Sequence, residues 1–417
     1  MTFSAYKYKL NPTKDQVVWL NQTAGSSRWL WNHMLDLNKK QYELDKKFVF
    51  VYELNRLIPE LKKTNPWLKD SPSQALQAVG FNLDRALKSV WKSGFGFPKF
   101  KSKGKSQDSF RIPQTNGHIQ ISDTHIQIPK LGLVKWTQHR KLPGPIKSIT
   151  ISRDVDSWFV SCLCEIPDVP MITQTSKDRT IGLDLGVSSF AILSDGRRIE
   201  SPQFLKKKLH RLARYQRQMQ KRVKASKNRE KAKLKVARCH RDIRNQRLNW
   251  LHQESRKLVN QYDVICTEDL KTKQLMEKKD HGKSLNRAIA DQGWSMFLGM
   301  LEYKTKQEGK IHTKISQWMP STKTCSCCGH ERKMKLSDRV YICENEKCAD
   351  YLKAKDRDWN AALNIHFWGL MGTRIELIES TEGTSGINAC GEPSTEYVSG
   401  HIQGSLNQEA ACPLGQR

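Results

Sequence analysis

The segment Ile181-Gly182-Leu183-Asp184-Leu185-Gly186 places an acid within a short apolar run, between two glycines. In an extended strand, residues 182, 184 and 186 share one face, so the glycines leave space beside the carboxylate of Asp184. An ordinary turn aspartate is the alternative if this segment is considered alone. Two more acidic segments follow, and they read Val264-Ile265-Cys266-Thr267-Glu268-Asp269-Leu270 and Asp356-Arg357-Asp358-Trp359-Asn360-Ala361-Ala362.

The pattern around these segments predicts an α/β domain that begins near Thr180. A strand ends at Asp184, and a second strand precedes the turn Ser194-Asp195-Gly196. A helical pair, a buried strand and a further helix follow, at residues 205–249, 262–267 and 290–306. A β-hairpin, helix, strand and helix in this order, with acids at the strand ends, is typical of an RNase H-like fold.

The other two acids are assigned by the faces that they share with apolar neighbours. Glu268 ends an apolar strand, where a carboxylate is costly to bury unless it is paired or binds a metal; a solvent-boundary acid is the alternative. Asp269 points the other way and is the weaker candidate. If a helix begins after Asp356, that residue caps it, and Asp358 lies on the face that packs against the sheet with Ala361, Ala362 and Ile365.

We therefore predict that Asp184, Glu268 and Asp358 hold two Mg²⁺ ions, with Asn360 as a supporting residue. Acids that converge from separate elements suit a site that hydrolyses phosphodiesters, because each ion needs acidic oxygens and open positions.

A cysteine cluster between the second and third acids predicts a structural zinc site. Cys325 and Cys328 form one pair, and Cys343 and Cys348 form a second pair with a wider gap. Two thiolate pairs on knuckle turns give a closed tetrahedral site, which leaves no position for catalysis. Cys327 leaves the choice of ligands ambiguous, and buried free cysteines are the alternative.

The N-terminal half has a different pattern. Residues 2–10 alternate as a strand, and Thr13 with Gln16 has the spacing of a capping box. A helical pattern follows to about residue 92. Residues 110–168 alternate with period two and predict an antiparallel sheet or barrel, which the first strand joins. The helical block is then an insertion in a β domain.

The formal net charge of +29, from 71 Lys+Arg against 42 Asp+Glu, indicates a polyanionic partner, with nucleic acid as the first expectation. No apolar run is long enough to span a bilayer, and the scattered cysteines fit a reducing cytoplasm. A Gly/Lys-rich loop at 94–105 and the helices at 205–249 carry cations that we expect to contact phosphates: Lys99, Lys101, Lys103, Lys105, Arg211, Arg214, Arg217 and Lys221. For the helices, a solvated face or a coiled coil is the alternative.

In combination, these motifs resemble the TnpB family, the OrfB-type proteins of bacterial insertion sequences related to compact type V CRISPR nucleases. The resemblance extends to about residue 372. Besides the acidic segments, it rests on Lys7-Tyr8-Lys9-Leu10-Asn11-Pro12-Thr13, Ser73-Gln74-Ala75-Leu76-Gln77, Phe97-Pro98-Lys99-Phe100-Lys101 and Pro320-Ser321-Thr322-Lys323-Thr324-Cys325.

The resemblance implies an architecture of several domains. They are a wedge-type β-barrel domain (1–10 and 95–178), a helical recognition insertion (11–94), a RuvC-like nuclease domain (179–319 and 353–375) and an inserted zinc module (320–352). Composition predicts a disordered tail at 376–417, where Lys and Arg are absent before Arg417.

The resemblance also implies an activity, namely RNA-guided cleavage of double-stranded DNA next to a short adjacent motif. The guide RNA would come from the end of the transposable element, and Gln74 and Gln77 would read the motif, since Gln pairs with adenine edges. We expect a bacterial, cytoplasmic, nucleoid-associated protein. Two alternatives remain: a DDE-type transposase that joins DNA ends, and a nuclease-independent DNA- or RNA-binding regulator.

Overall fold

The computed structural model describes residues 2–93, 96–113, 117–277, 282–335 and 337–378, without the side chains of residues 91–93. The chain divides into two compact units. The first comprises Met1–Asp168 and Arg222–Arg241, and the second comprises Val169–Lys221 and Asp242–Arg417. In the described ranges, no helix is both long and apolar enough to cross a membrane.

The first unit combines three helices with an antiparallel sheet, as the sequence predicts. Six strands pair in the order β2-β5-β6-β1-β4-β3, and β1 joins the sheet by pairing with β6 over its whole length. Within the described residues, β2 and β3 are the sheet edges, so closure into a barrel stays a prediction. The elements are β1 (Thr2–Leu10), α1 (Lys14–Asp45), α2 (Val51–Thr64), α3 (Ser73–Ser93), β2 (Ser109–Pro113), β3 (His125–Ile128), β4 (Gly132–Thr137), β5 (Ile146–Asp154) and β6 (Ser157–Ile166).

The helices of the first unit are held to the sheet by apolar side chains and by a cap. Thr13 and Gln16 form the predicted capping box at the start of α1. The first turns of α1 pack Leu20 and Ala24 into the sheet core. Farther along α1, Leu30 and Met34 pack with α2 and α3 in a second core.

The second unit is built on a five-stranded mixed sheet in the order β10-β9-β8-β11-β12. β8, β11 and β12 are parallel to one another, while β9 and β10 are antiparallel to their neighbours. Its elements are β7 (Gln174–Ser176), β8 (Thr180–Leu185), β9 (Ser189–Leu193), β10 (Arg198–Glu200), α4 (Phe204–Gln220), α5 (Lys227–Gln261, which begins in the first unit), β11 (Val264–Glu268), α6 (Thr272–Glu277), α7 (Lys283–Gln292), α8 (Trp294–Gln307), β12 (Ile311–Ile315), β13 (Val340–Ile342), β14 (Ala354–Asp356), α9 (Arg357–Met371) and β15 (Glu376–Ile378).

Helix α9 lies closer to this sheet than side chains would ordinarily allow. A methyl group on Gly182 of β8 would lie 2.4 Å from the carbonyl oxygen of Ala362 and 2.6 Å from Cβ of His366. A methyl group on Gly369 of α9 would lie 2.5 Å from both Cβ and Sγ of Cys266. A glycine on each partner therefore permits the contact, and this contact fixes where α9 begins relative to β8.

Four features differ from the sequence-based expectations. Strand β12 was not predicted, and Gly293, at φ +73°, separates α7 from α8 where one helix was expected. Residues 222–241 belong to the first unit rather than to the nuclease domain, and there Asp156 pairs with Arg238. The predicted tail is wrong at its start, because Glu376–Ile378 pair with β7; the remaining residues, 379–417, lie outside the described ranges.

Candidate active site

Asp184 and Glu268 lie at the ends of adjacent parallel strands. Leu183 of β8 is the register partner of Thr267 of β11, so the next residues, Asp184 and Glu268, are side by side. Neighbouring strands are about 4.8 Å apart, and register partners in a parallel pair point to the same face. The sheet therefore brings two carboxylates together on the face that α9 covers.

Asp358 is brought to the same place by α9. His366 lies at the start of β8, where its Nε2 atom is 2.7 Å from Oγ1 of Thr180. Asp358 precedes His366 by two helical turns, about 12 Å, and Asp184 lies about 13 Å along β8 from Thr180. The predicted face of α9 is confirmed as buried, with Ala361, Ala362 and Ile365 fully covered.

Asp356 has the capping role that the sequence predicts for it. Its Oδ1 accepts hydrogen bonds from the backbone N–H groups of Asp358 and Trp359, at 3.1 and 2.9 Å. Its other carboxylate oxygen, Oδ2, pairs with Arg198 at 2.9 Å. The carboxylate of Asp356 is thereby committed to the start of α9, which leaves Asp358 as the acid that faces the sheet.

The electrostatics of the three acids indicate a shared site. Burial raises the pKa of Asp184 well above its ordinary value, and the negative charges of Glu268 and Asp358 raise it further. Burial also raises the pKa of Glu268, although a hydrogen bond from Ser321 opposes that shift. Carboxylates that repel one another among protein atoms are unfavourable until a cation neutralises them.

Two residues without a predicted role complete this arrangement. Ser321 donates a hydrogen bond of 2.6 Å from Oγ to Oε1 of Glu268. Arg357 donates from Nε and one terminal nitrogen to Oδ1 of Asp358, at 3.0 and 2.8 Å. Arg357 stands between two acids in the sequence, which is a local signal for an ion pair. Ser321 is 53 residues from Glu268, so only the folded chain reveals its contact.

The chemistry of the acids fits divalent cations. Asp184, Glu268 and Asp358 supply hard oxygen ligands. Positive charge would offset the burial that raises the pKa of Asp184 and of Glu268, and the repulsion that raises the pKa of Asp184 further. In the described residues, however, the group whose ligand atoms all lie within 4.8 Å of one another consists of cysteines, and the three acids do not form a second such group.

The four predicted cysteines do converge, and they could hold a metal ion. Sγ of Cys325 lies 3.8 Å from Sγ of Cys348, and Sγ of Cys328 lies 3.6 Å from Sγ of Cys343. A tetrahedron with Zn–S bonds of 2.3 Å has sulfur–sulfur edges of about 3.8 Å, so the spacing fits zinc. The converging set does not include Cys327.

Two buried asparagines connect the cysteine module to α9. The side chain of Asn360 donates to the carbonyl of Thr324 at 2.7 Å and accepts from the backbone N–H of Ser326 at 3.0 Å. Asn364 donates to the carbonyls of Ser321 and Thr324, at 2.8 and 2.7 Å. The predicted supporting residue Asn360 thus acts by fastening the first cysteine knuckle to the helix that carries Asp358.

In the first unit, residues 99–101 of the predicted lysine loop lie against α1, while residues 94 and 95 of that loop lie outside the described ranges. The indole of Trp31 donates to the carbonyl of Lys99 at 3.1 Å, and Asn32 exchanges two hydrogen bonds with the backbone of Lys101. Lys101 is half-buried, and Nζ lies 3.9 Å from the centre of the Trp31 ring. Burial lowers the pKa of Lys101. Lys99, Lys103 and Lys105 remain exposed, as nucleic-acid contacts would require.

A cationic cavity of about 510 Å³ lies beside this loop. Its lining residues include Arg85, Lys101 and Arg111 but no acid. Ser27 also lines it; this side chain is 4% exposed, and Oγ has no hydrogen-bond partner among the described residues. On α3, the predicted reader Gln77 is exposed and Gln74 is partly exposed.

In the second unit, the predicted cations of α4 are all exposed. Arg214, Arg217 and Lys221 follow one another at spacings of three and four residues, so they form a stripe along the helix end. Arg211 and Arg214 both flank the ring of Tyr215, at 5.6 Å from its centre. Cations around an aromatic ring form a surface that suits a phosphate backbone.

Three family models match parts of this chain. A family model for OrfB proteins, described as "Probable transposase", matches residues 161–279, and one described as "Cas12f1-like, TNB domain" matches residues 294–365. Together they contain the three acids, Ser321 and the four cysteines. A third, described as "Helix-turn-helix domain", matches residues 1–47, which here form a strand and one continuous helix.

A Streptomyces pristinaespiralis protein named "Putative RNA-guided DNA endonuclease" is 32% identical over 92% of this chain and 95% of its own length. The chain belongs to the TnpB (OrfB) family. A second TnpB relative, "Putative RNA-guided DNA endonuclease InsQ" from Escherichia coli K12, is also 32% identical, over 82% of this chain and 87% of its own. Among solved structures, "Cryo-EM structure of the Cas12f1-sgRNA-target DNA complex" aligns over 84% of this TnpB chain and 82% of its own, at 16% identity and a TM-score of 0.48.

Proposed function

We propose that this TnpB protein is an RNA-guided DNA endonuclease of a transposable element, with Asp184, Glu268 and Asp358 as its catalytic acids. The observation that carries the proposal is the convergence of the two strand ends and the start of α9, where burial and repulsion raise the pKa of Asp184. The names of the relatives support the reaction, and the RuvC type and the use of Mg²⁺ are inferences from the acids.

Different residues of this site would bind the metal ions and position the acids. Asp184, Glu268 and Asp358 would hold two Mg²⁺ ions, which supply an activated water and stabilise the leaving oxygen of the phosphodiester. Ser321 orients Glu268 through its hydrogen bond, and Arg357 restrains Asp358 through two. With one such site, the two DNA strands would be cut one after the other.

The basic surfaces support nucleic-acid partners. We assign the lysine loop 99–105, the cationic cavity and the α4 stripe to the phosphates of the guide RNA and its heteroduplex with DNA, where base pairing supplies the sequence specificity. Gln74 and Gln77 of α3 would read the adjacent motif. Their exposure on the helix supports this assignment. A bacterial cytoplasmic location at the nucleoid follows from these partners.

The domain assignment also belongs to this proposal. The sheet of the first unit would be the wedge-type domain, α1–α3 the recognition insertion, and the mixed sheet of the second unit the RuvC-like nuclease. The cysteine module at 320–352 would hold one structural zinc ion. Its asparagine contacts with α9 support a role in placing Asp358.

The test begins with the RNA. The protein is expressed with its flanking genomic DNA and purified, and the copurifying RNA is sequenced. We expect one discrete species that ends in a segment matching neighbouring DNA, and we expect that complex to cut a plasmid carrying the matching target. Heterogeneous RNA that salt removes would refute guidance.

Matched variants then test the acids and separate the alternatives. Glu268→Gln and Asp184→Ala should bind target DNA without cutting it, whereas Asp269→Asn should cut normally, because Asp269 is exposed beside the site. Joined DNA ends in place of hydrolysed ones would favour the DDE-type transposase. Full biological activity of Asp184→Ala would favour the non-enzymatic regulator.

A further inference from the structure

Trp318 is an unusually exposed aromatic side chain between β12 and the cysteine module. Its side chain is 84% exposed, and Met319 beside it is 41% exposed. Both lie in the loop 316–320 that joins β12 to the cysteine module. Tryptophan is normally well covered in a folded chain, so an exposed fraction this large indicates a partner that covers it.

The loop that carries Trp318 is attached to Glu268 at both of its ends. Before the loop, Ile315 is the register partner of Glu268, and its carbonyl accepts the N–H of Asp269 at 3.0 Å. After the loop, Ser321 donates to the Glu268 carboxylate at 2.6 Å. Trp318 is three residues from each anchor, so its Cα lies within about 11 Å of both.

Hydrogen bonds hold this loop in one conformation. The N–H of Met319 donates to the carbonyl of Ser316 at 3.1 Å, which closes a tight turn with Trp318 at its third position. The N–H of Trp318 donates to Oγ of Ser316 at 3.3 Å, and the N–H of Ser321 donates to the carbonyl of Met319 at 2.8 Å. A side chain presented by a fixed turn loses little further freedom when it binds.

An exposed indole beside a nuclease site suits one ligand chemistry in particular. Nucleotide bases stack on aromatic rings whatever their sequence, because every base has a π face. A strand whose phosphate lies at the acids has its neighbouring bases within several ångströms of that phosphate, and the Cα of Trp318 lies within about 11 Å of both residues that hold the Glu268 strand end. A protein partner would also cover an indole, but the connection of this loop to Glu268 favours the substrate strand.

We propose that Trp318 forms a stacking subsite for one unpaired base of the DNA strand being cut, a few nucleotides from the scissile phosphate. The inference rests on the proposed nuclease function and adds a sequence-independent contact to it. The subsite holds the strand in position while the acids act. Trp318 is thus a positioning residue, and it takes no part in the bond-breaking step.

The test combines variants of Trp318 with a walk of abasic sites along each strand of the target DNA. In single-turnover cleavage of the guided target, Trp318→Ala should be slower by roughly 10- to 100-fold, the range for loss of one base–aromatic stack. Trp318→Tyr should retain most of the rate. On wild type, an abasic site at one position near the cut should produce the same loss, and at that position Trp318→Ala should show no further decrease.

The matched control is Phe367→Ala, which removes a 60% exposed ring from the far part of α9 in the same unit. It should cleave at the wild-type rate. Wild-type rates for Trp318→Ala, or equal abasic sensitivity in variant and wild type, would overturn the subsite and leave the nuclease function standing. If a protein covers Trp318 instead, Trp318→Ala should lose cleavage rate and no abasic position should reproduce that loss, which would also overturn the subsite. Absence of guided cleavage by wild type itself would instead refute the proposed function.

Discussion

Replacement of Gly182 by alanine should damage both the stability of the second unit and its chemistry. The new methyl group would lie 2.4 Å from the Ala362 carbonyl oxygen and 2.6 Å from both Cβ and the backbone N of His366. Two of these three atoms are backbone atoms of α9, so no side-chain rotation relieves the overlap. The helix must move away from β8.

The size of that movement sets the expected magnitudes. An ordinary contact needs 3.4 Å or more, so α9 must move by about 1 Å, and Asp358 moves with it away from Asp184. Overpacking of this kind costs about 1–3 kcal/mol of unfolding free energy. A catalytic group displaced by about 1 Å typically loses on the order of 10²-fold in rate.

Urea unfolding and single-turnover cleavage of the guided target measure the two effects. Gly299→Ala is the control, because Gly299 lies inside α8 and nothing is within 4 Å of its added methyl group; it should stabilise by about 0.5–1 kcal/mol and cut normally. A Gly182→Ala protein with wild-type unfolding and wild-type cleavage would refute the inference that this contact positions Asp358.

Three further predictions concern the acids and the cysteine module. Because the pKa of Asp184 is raised in the folded state, its contribution to the stability of the metal-free protein is complete below about pH 3.9 and is lost as the pH rises. Asp184→Asn should therefore flatten the decline in the urea midpoint toward pH 7. Parallel plots of urea midpoint against pH for the variant and the wild type would contradict this. Cys343→Ser should lower the zinc content measured by native mass spectrometry and reduce guided cleavage, whereas retained zinc would exclude this cysteine as a ligand. Asn360→Ala should cost about 1–3 kcal/mol by leaving the N–H of Ser326 without its partner, and an unchanged melting temperature would show that water replaces the amide.

The placement of Asp184 at a strand end and of Asp358 at a helix start could be predicted because each acid has a local signature. Asp184 is flanked by glycines that share its face, and Asp358 has the helical spacing of Ala361, Ala362 and Ile365, which are buried as expected. Asp356 caps α9 for the same local reason. The cysteine spacing likewise anticipates the four sulfur atoms that converge. A role that depends only on residues close together in the chain can be predicted from the sequence.

The contacts that depend on register across long separations were not predicted. Strand β12 is short and polar at three positions, so its pattern does not distinguish it from a loop, yet its pairing with β11 fixes the start of the loop that carries Trp318. The hydrogen bond from Ser321 to Glu268 depends on that pairing. The predicted start of the tail at residue 376 was wrong for a similar reason, because β15 is a strand only through its pairing with β7.

These long-range contacts connect the cysteine module to the acids of the proposed nuclease site. Ser321 holds Glu268, while its own carbonyl and that of Thr324 are held by Asn364 of α9. Cys325 follows immediately, so the first cysteine knuckle, the Glu268 carboxylate and the helix that begins with Asp358 form one hydrogen-bonded unit. On the proposed function, loss of the metal would loosen Glu268 and Asp358 together. Zinc in this fold is therefore expected to affect the rate of cleavage through the positions of Glu268 and Asp358.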